Sequence, residues 1–282
     1  SSVTCSACNG KRLNPEALSV QLNSKSITDV AEMEFVDLST WIDTSSWHGT
    51  THSIITKLKE KLDLLIDLGL GYLTMDTTAS ELSASEAQRI RVINQLTAPL
   101  SDVLYVLDEP SIGLYPEENR KMIAHLKALV GKGNTVMVVE HDLETIRNAD
   151  WIIDLGPNAG SKGGELLFNG TLNDFLESNL SNSPTFNSLK SNGRKVQQSK
   201  SQAVKKSSSQ KVQQSKNQAV KKSSSQKVNT SNTFTLSNCS SGNLKNIDVT
   251  FQLGGLNVIS GKSGSGTQSL VDELKNRTPG ER

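Results

Sequence analysis

Aromatic residues make up only 4% of this 282-residue sequence, and there are three cysteines. So few rings, beside a hydrophobic content of 35%, imply that part of the chain adds nothing to a core. Cys5 and Cys8 form a Cys-x-x-Cys pair and Cys239 stands alone. An odd count with such a pair argues against a secreted disulfide framework and for a reducing, cytoplasmic setting. No apolar stretch approaches the ~18–20 residues of a membrane span, so no membrane role is expected. The first residues carry neither Met nor a charged-then-apolar signal pattern, and the chain reads as the interior of a longer protein. Acidic residues are missing from 190–227, where 11 Lys and Arg lie. The remainder holds 19 basic against 29 acidic residues, a net of −10. A folded acidic part and a basic tract are different materials.

The tract is also repetitive. Lys195–Gln210 recurs as Lys211–Gln226, differing only at Ser201 and Asn217. Lys, Ser and Gln offer too little apolar surface to offset ordering entropy. Residues 179–231 are therefore expected to be a disordered linker. Its lysines suit non-specific contact with phosphates. Without interleaved aromatics there is no platform for stacking bases.

Val103–Leu107 is a dry run of strand length that stops at Asp108-Glu109-Pro110. A run apolar throughout suits a strand covered on both faces in a parallel sheet. Charges at its carboxyl end sit at the edge where α/β proteins bind ligands. The pattern reads as a Walker B strand: Asp108 holds Mg²⁺ through water and Glu109 orients a water toward a γ-phosphate. The plainer alternative is a strand end followed by a capping carboxylate. Thr135–Val139 is a second dry strand, ending at Glu140-His141-Asp142. Its parallel placement puts His141 in reach of the same phosphate, against a purely structural histidine.

Leu256–Ser260 leads into Gly261-Lys262-Ser263-Gly264-Ser265-Gly266-Thr267-Gln268-Ser269. Strand, glycine loop and helix start together make the context of a P-loop, whose backbone amides curl around phosphate oxygens. Thr267 stands where the lysine belongs and Gln268 where the Mg²⁺-binding hydroxyl belongs. Lys262 is a candidate for partial replacement. Ser83 and Glu86 form a capping box, so the next helix begins with bare amides, a ready anion site or simply a well-capped helix. Cys5 and Cys8, with Gly10 just beyond, supply half of a tetrahedral Zn²⁺ site.

Other elements are coarser. Leu18–Leu22 alternates and predicts a short strand. Ser26 predicts a helix cap for residues up to Met33, with a second helix near Asp37–Ile42. Leu58, Leu62, Leu65 and Ile66 stripe a helix over about 53–67. His48 and His52 fall in a polar stretch and are expected to face solvent.

Together these segments resemble the UvrA family, the ABC-type ATPases of nucleotide excision repair. The resemblance rests on Cys5-x-x-Cys8-x-Gly10-Lys11-Arg12-Leu13, Glu86-Ala87-Gln88-Arg89-Ile90-Arg91, Leu104–Leu114, Val139-Glu140-His141-Asp142 and Asn243-Leu244-Lys245-Asn246-Ile247. It implies an α/β fold of the P-loop NTPase type, a sheet with flanking helices, here partial and split by the linker. It divides the chain into a half zinc knuckle at 1–15, the end of a first ABC cassette at 16–178, the linker, and the start of a second cassette at 232–282. It implies ATP, Mg²⁺ and Zn²⁺ as cofactors. DNA, a UvrB-like subunit and a second copy are the implied partners. Asp108, Glu109 and His141 become the metal carboxylate, the general base and the switch histidine of a site whose P-loop lies outside the chain. The family signature Leu-Ser-Gly-Gly-Glu appears here as Leu82-Ser83-Ala84-Ser85-Glu86, with two glycines replaced. Side chains on Ala84 and Ser85 obstruct close approach to a phosphate. The resemblance pairs this signature with the loop at Gly261, Gly264, Ser265, Gly266, Thr267 and Gln268, so one composite site is expected to be silent and the fragment alone inactive.

Overall fold

A computed structural model describes residues 5, 6, 8, 10–97, 100–191 and 232–277. In chain order it has helices α1 (Pro15–Ser19), α2 (Ile27–Ala31), α3 (Phe35–Thr44), α4 (Thr50–Asp67) and α5 (Ala84–Leu96), followed by strand β1 (Leu104–Asp108). Then come α6 (Pro116–Gly131), β2 (Thr135–Val139), α7 (Leu143–Arg147), β3 (Trp151–Gly156), β4 (Glu165–Thr171) and α8 (Leu172–Glu177). A further helix, α9, covers 184–191. The chain closes with β5 (Thr233–Cys239), β6 (Ile247–Gln252), β7 (Leu256–Gly261) and α10 (Thr267–Arg277). Two compact units emerge: residues 1–100 with 110–128, and residues 101–109 with 129–282.

The first unit is helical. Leu38 and Ile42 of α3, Leu62 of α4, Val92 and Ile93 of α5 and Met122 and Leu126 of α6 form its buried apolar set. Asp67 at the end of α4 pairs with Lys121 at 3.0 Å and His125 at 3.1 Å. Residues 18–22 are not a strand. Asn14 accepts a hydrogen bond from the Ala17 amide and Pro15 opens a five-residue helix through Ser19, leaving only an isolated bridge between Leu22 and Lys25. His52 lies in the first turn of α4 rather than in a loop, and both His48 and His52 are exposed.

The second unit holds a five-stranded sheet in the order β1-β2-β7-β3-β4. β1, β2, β7 and β3 are parallel, and β4 runs antiparallel beside β3. Dry strands occupy the middle: every residue of β2 and of β7 is buried. The antiparallel pair β5–β6 forms a separate two-stranded sheet. Leu236, Val249 and Phe251 from that pair and Leu270 and Leu274 of α10 share one core with Met137, Ile153 and Ile259 of the large sheet.

β7, from the stretch expected to open a second cassette, lies between β2 and β3 in the same sheet as β1. Parallel strands pair wherever a crossover returns them, regardless of distance in sequence. Within the stretch expected as linker, residues 184–191 form α9. Phe186 and Leu189 of α9 are 2% and 3% exposed, and Phe186 meets Phe175 edge-on with ring centroids 5.7 Å apart. These two buried apolar side chains help dock a segment whose composition is otherwise polar. The duplicated stretch at 195–226 lies outside the described residues.

Candidate functional site

The parallel register aligns three loops at one edge of the sheet. Asp108 pairs with Val139, Val139 with Ile259, and Leu155 with Gly261. The residues that follow β1, β2 and β7 therefore emerge side by side, as open α/β sheets require of a ligand site. Asp108 is exposed at the tip of β1. Glu109 takes a left-handed backbone, φ 43°, and its amide donates to the Val139 carbonyl at 3.0 Å. A non-glycine residue held there is a local strain of the kind found at functional loops. Its carboxylate Oε1 lies 3.3 Å from His141 Nε2, and both side chains are about two-fifths exposed. The two residues predicted as base and switch histidine thus meet and open to solvent.

Glu140 explains how His141 is aimed. It is 2% exposed, and its Oε2 accepts the backbone amides of His141 at 3.1 Å and Asp142 at 3.3 Å. Asp142 then caps α7 by accepting the Glu144 and Thr145 amides. Glu140 is itself held by its backbone amide, which donates to the Ile259 carbonyl of β7 at 3.0 Å.

The loop after β7 is held by neighbours the sequence did not obviously supply. Asn243 Nδ2 donates to the carbonyls of Gly160 and Gly264 at 3.1 and 2.9 Å. The amide of Gly160 donates to the Gly264 carbonyl, and that of Gly164 to the Ser265 carbonyl, each at 2.9 Å. Glycine is required at 266: φ is 109°, and a Cβ there would stand 2.8 Å from Leu244 Cδ2. At Gly261 a Cβ would meet both the Leu155 carbonyl and Ser265 Oγ at 2.4 Å. Ser265 is fully buried, and its hydroxyl has no hydrogen-bond partner among the described residues. An orphaned buried hydroxyl inside a glycine cradle fits a loop built around an anion. Thr267 is buried at the start of α10, while Gln268 turns away to Asp272 at 3.3 Å. A cleft beside the loop is lined by His141, Ile146, Pro184, Thr185, Gly261 and Lys262.

Elsewhere, Ser83 caps α5 as predicted. Its hydroxyl accepts the Glu86 amide at 3.3 Å, and Glu86 Oε2 accepts the Ser83 amide at 2.6 Å. These bonds to Ser83, with a hydrogen bond from Tyr72, hold the Glu86 carboxyl down to about 2. Ala84 is exposed, and Ser85 packs where Gly113 leaves room, 3.3 Å from an added Cβ. Cys5 is exposed and Cys8 half-buried. Among the described residues no three His, Cys, Asp or Glu side chains gather as a metal-holding group.

Comparison with known proteins finds clear relatives. UvrABC system protein A of Malacoplasma penetrans is 37% identical over 277 residues, which is 97% of this chain and 26% of the relative. That of Borreliella burgdorferi is 38% identical over 275 residues, with 96% and 26% covered. The chain belongs to the UvrA family. Among solved structures, UvrA2 from Deinococcus radiodurans shares 32% identity with a TM-score of 0.58, covering 96% of this chain and 32% of that one. No family model matches the chain. This UvrA-family chain spans about a quarter of the length of the curated relatives it matches.

Residues around the site that the sequence reading passed over are Glu140 and Asn243. Glu140 had a signal: it is an acid directly after a dry strand. Asn243 had none beyond the resemblance.

Proposed function

We propose that this chain is the nucleotide-handling part of a UvrA-type ABC ATPase whose whole protein recognises DNA damage in nucleotide excision repair. One observation carries the reading: the Glu109–His141 pair at 3.3 Å stands at the sheet edge that also bears the glycine loop. Asp108 would hold Mg²⁺ through water. Glu109 would orient and deprotonate the attacking water, and His141 would contact the γ-phosphate end. Backbone amides of Gly264, Ser265 and Gly266 would cradle the phosphates. ATP supplies the phosphoanhydride that is cleaved. DNA, a UvrB-like subunit and a second copy of the full protein are the partners proposed. Cys5 and Cys8 would join a zinc site only with two further ligands.

The loop has Thr267 and Gln268 in place of the family's lysine and hydroxyl, so nucleotide binds poorly and the chain alone does not hydrolyse it. Titration of the 282-residue chain with MgATP tests both statements. Weak binding that rises about tenfold or more in Thr267→Lys/Gln268→Ser supports the reading, since a charge-assisted hydrogen bond is worth ~1.5–3 kcal/mol. No binding by either form would remove the nucleotide site, and turnover by the wild type that vanishes in Glu109→Gln would overturn the claim of silence. The replacements at Ala84, Ser85, Thr267 and Gln268 favour a second reading, a UvrA paralogue that binds DNA without supporting excision. Full-length protein that binds damaged DNA yet supports no incision would select it.

A further inference from the structure

Asp154 sits in the middle of β3 with no exposed surface. Its Oδ1 accepts the hydroxyl of Ser260 at 2.7 Å, and its Oδ2 accepts the hydroxyl of Ser183 at 2.6 Å. Ser260 is also fully buried and immediately precedes Gly261, the first residue of the phosphate loop. Ser183, equally buried, immediately precedes α9 and accepts the Phe186 amide at 3.0 Å, which caps that helix. A single carboxylate thus joins two segments 77 positions apart in the chain. Both segments line the same cleft: Gly261 and Lys262 from one and Pro184 and Thr185 from the other, together with His141. Arg147 Nη2 adds a second tie by donating to the Leu189 carbonyl at 2.9 Å. Nothing in the packing of the apolar core requires an acid in this strand. A buried carboxylate persists only when hydrogen bonds satisfy it, and here those bonds end on two site-bearing loops.

We infer that Asp154 is a positioning residue for the nucleotide site: through Ser260 and Ser183 it locks the entry of the phosphate loop to helix 184–191, so that the helix serves as a wall of the cleft beside His141. The inference rests on the nucleotide reading for its function, but the mechanical coupling can be observed without ligand. A rigid polar network transmits a disturbance at one end to the other, whereas two independent supports do not.

Amide hydrogen exchange on the 282-residue chain tests the coupling. Ser260→Ala is expected to speed exchange of the Phe186 and Asn187 amides in α9 by about tenfold, the scale of a local opening made easier by ~1.4 kcal/mol. Ser183→Ala is expected to do the same to the amides of Ser265, Gly160 and Gly164, which hold the loop. The Val106 and Met137 amides of β1 and β2 stay slow in both. Ser260→Thr and Ser183→Thr, which keep the hydroxyl, restore slow exchange. Each serine variant loosening only its own segment would overturn the proposal. So would uniform acceleration that includes β1 and β2, because Asp154 would then support the fold generally. Ser183→Ala placed in the Thr267→Lys/Gln268→Ser background is expected to weaken MgATP binding about tenfold. Coupling with no ATP binding in that background sinks the nucleotide reading and keeps the lock. ATP binding without coupling does the reverse.

Discussion

Glu86 and Asp154 make the same chemical group do opposite things. Glu86 starts a helix in the first unit, accepts bonds from Ser83 and Tyr72, and is held down to about 2. Asp154 lies inside the sheet of the second unit, and burial raises its carboxyl above the usual 3.8 although Ser183, Ser260 and Thr185 pull it back. Glu86 keeps enough water that its hydrogen bonds outweigh the cost of partial burial. Around Asp154 the loss of water outweighs three donors. An acid on a helix end therefore records its neighbours, while an acid in a dry strand records its burial.

Removing the two acids' partners should separate them most. Asp154→Ala leaves two buried serine hydroxyls without an acceptor and is expected to destabilise the second unit by about 3 kcal/mol in urea unfolding. A loss under about 1 kcal/mol would mean that water or a shifted side chain satisfies both. Ser83→Ala removes a helix cap in solvent and is expected to cost about 1 kcal/mol. If it matched Asp154→Ala, burial would not be what divides the two sites.

Acid titration sharpens the contrast without truncation. Because the folded state holds Glu86 below its ordinary 4.5, its contribution is complete above that pH and is lost as pH falls toward about 2. Asp154 has the opposite slope. The folded state binds its proton more tightly than the unfolded chain does, so stability is greatest at low pH and declines as pH rises past 3.8 through the raised value. Glu86→Gln should flatten the acid limb, and Asp154→Asn should flatten the decline above it. Two variants with slopes of the same sign would break the comparison. The smallest effect belongs to the Glu109–His141 pair. Both partners are about two-fifths exposed, so Glu109→Gln is expected to change unfolding free energy by less than about 0.5 kcal/mol.

The sequence was most legible where local rules suffice. The runs predicted at 103–107 and 135–139 and the stretch at 256–260 fall on strands, and Ser83 and Glu86 close the predicted capping box. Asp108, Glu109 and His141 stand at one sheet edge because each follows a parallel strand in register. Local rules misled at 18–22, where a five-residue alternation lost to an Asn-Pro helix start. They also gave α9 to the linker, since two buried side chains among polar neighbours carry no periodic signal. Nor could they show that Asn243 would bind the loop at Gly264 or that Glu140 would aim His141, because both depend on a particular backbone carbonyl or amide arriving at the right place.

By itself the sequence determined which segments are strands and helices, which carboxylates end dry strands, and the membership of the family. Those properties follow from side-chain pattern and from bonds spanning three or four residues. Tertiary structure alone decided that β7 would enter the sheet between β2 and β3, and that Asp154 would bridge Ser183 and Ser260. Each is a pairing across many tens of residues, selected by how surfaces fill one another once water has been expelled, and no short stretch of chain encodes it.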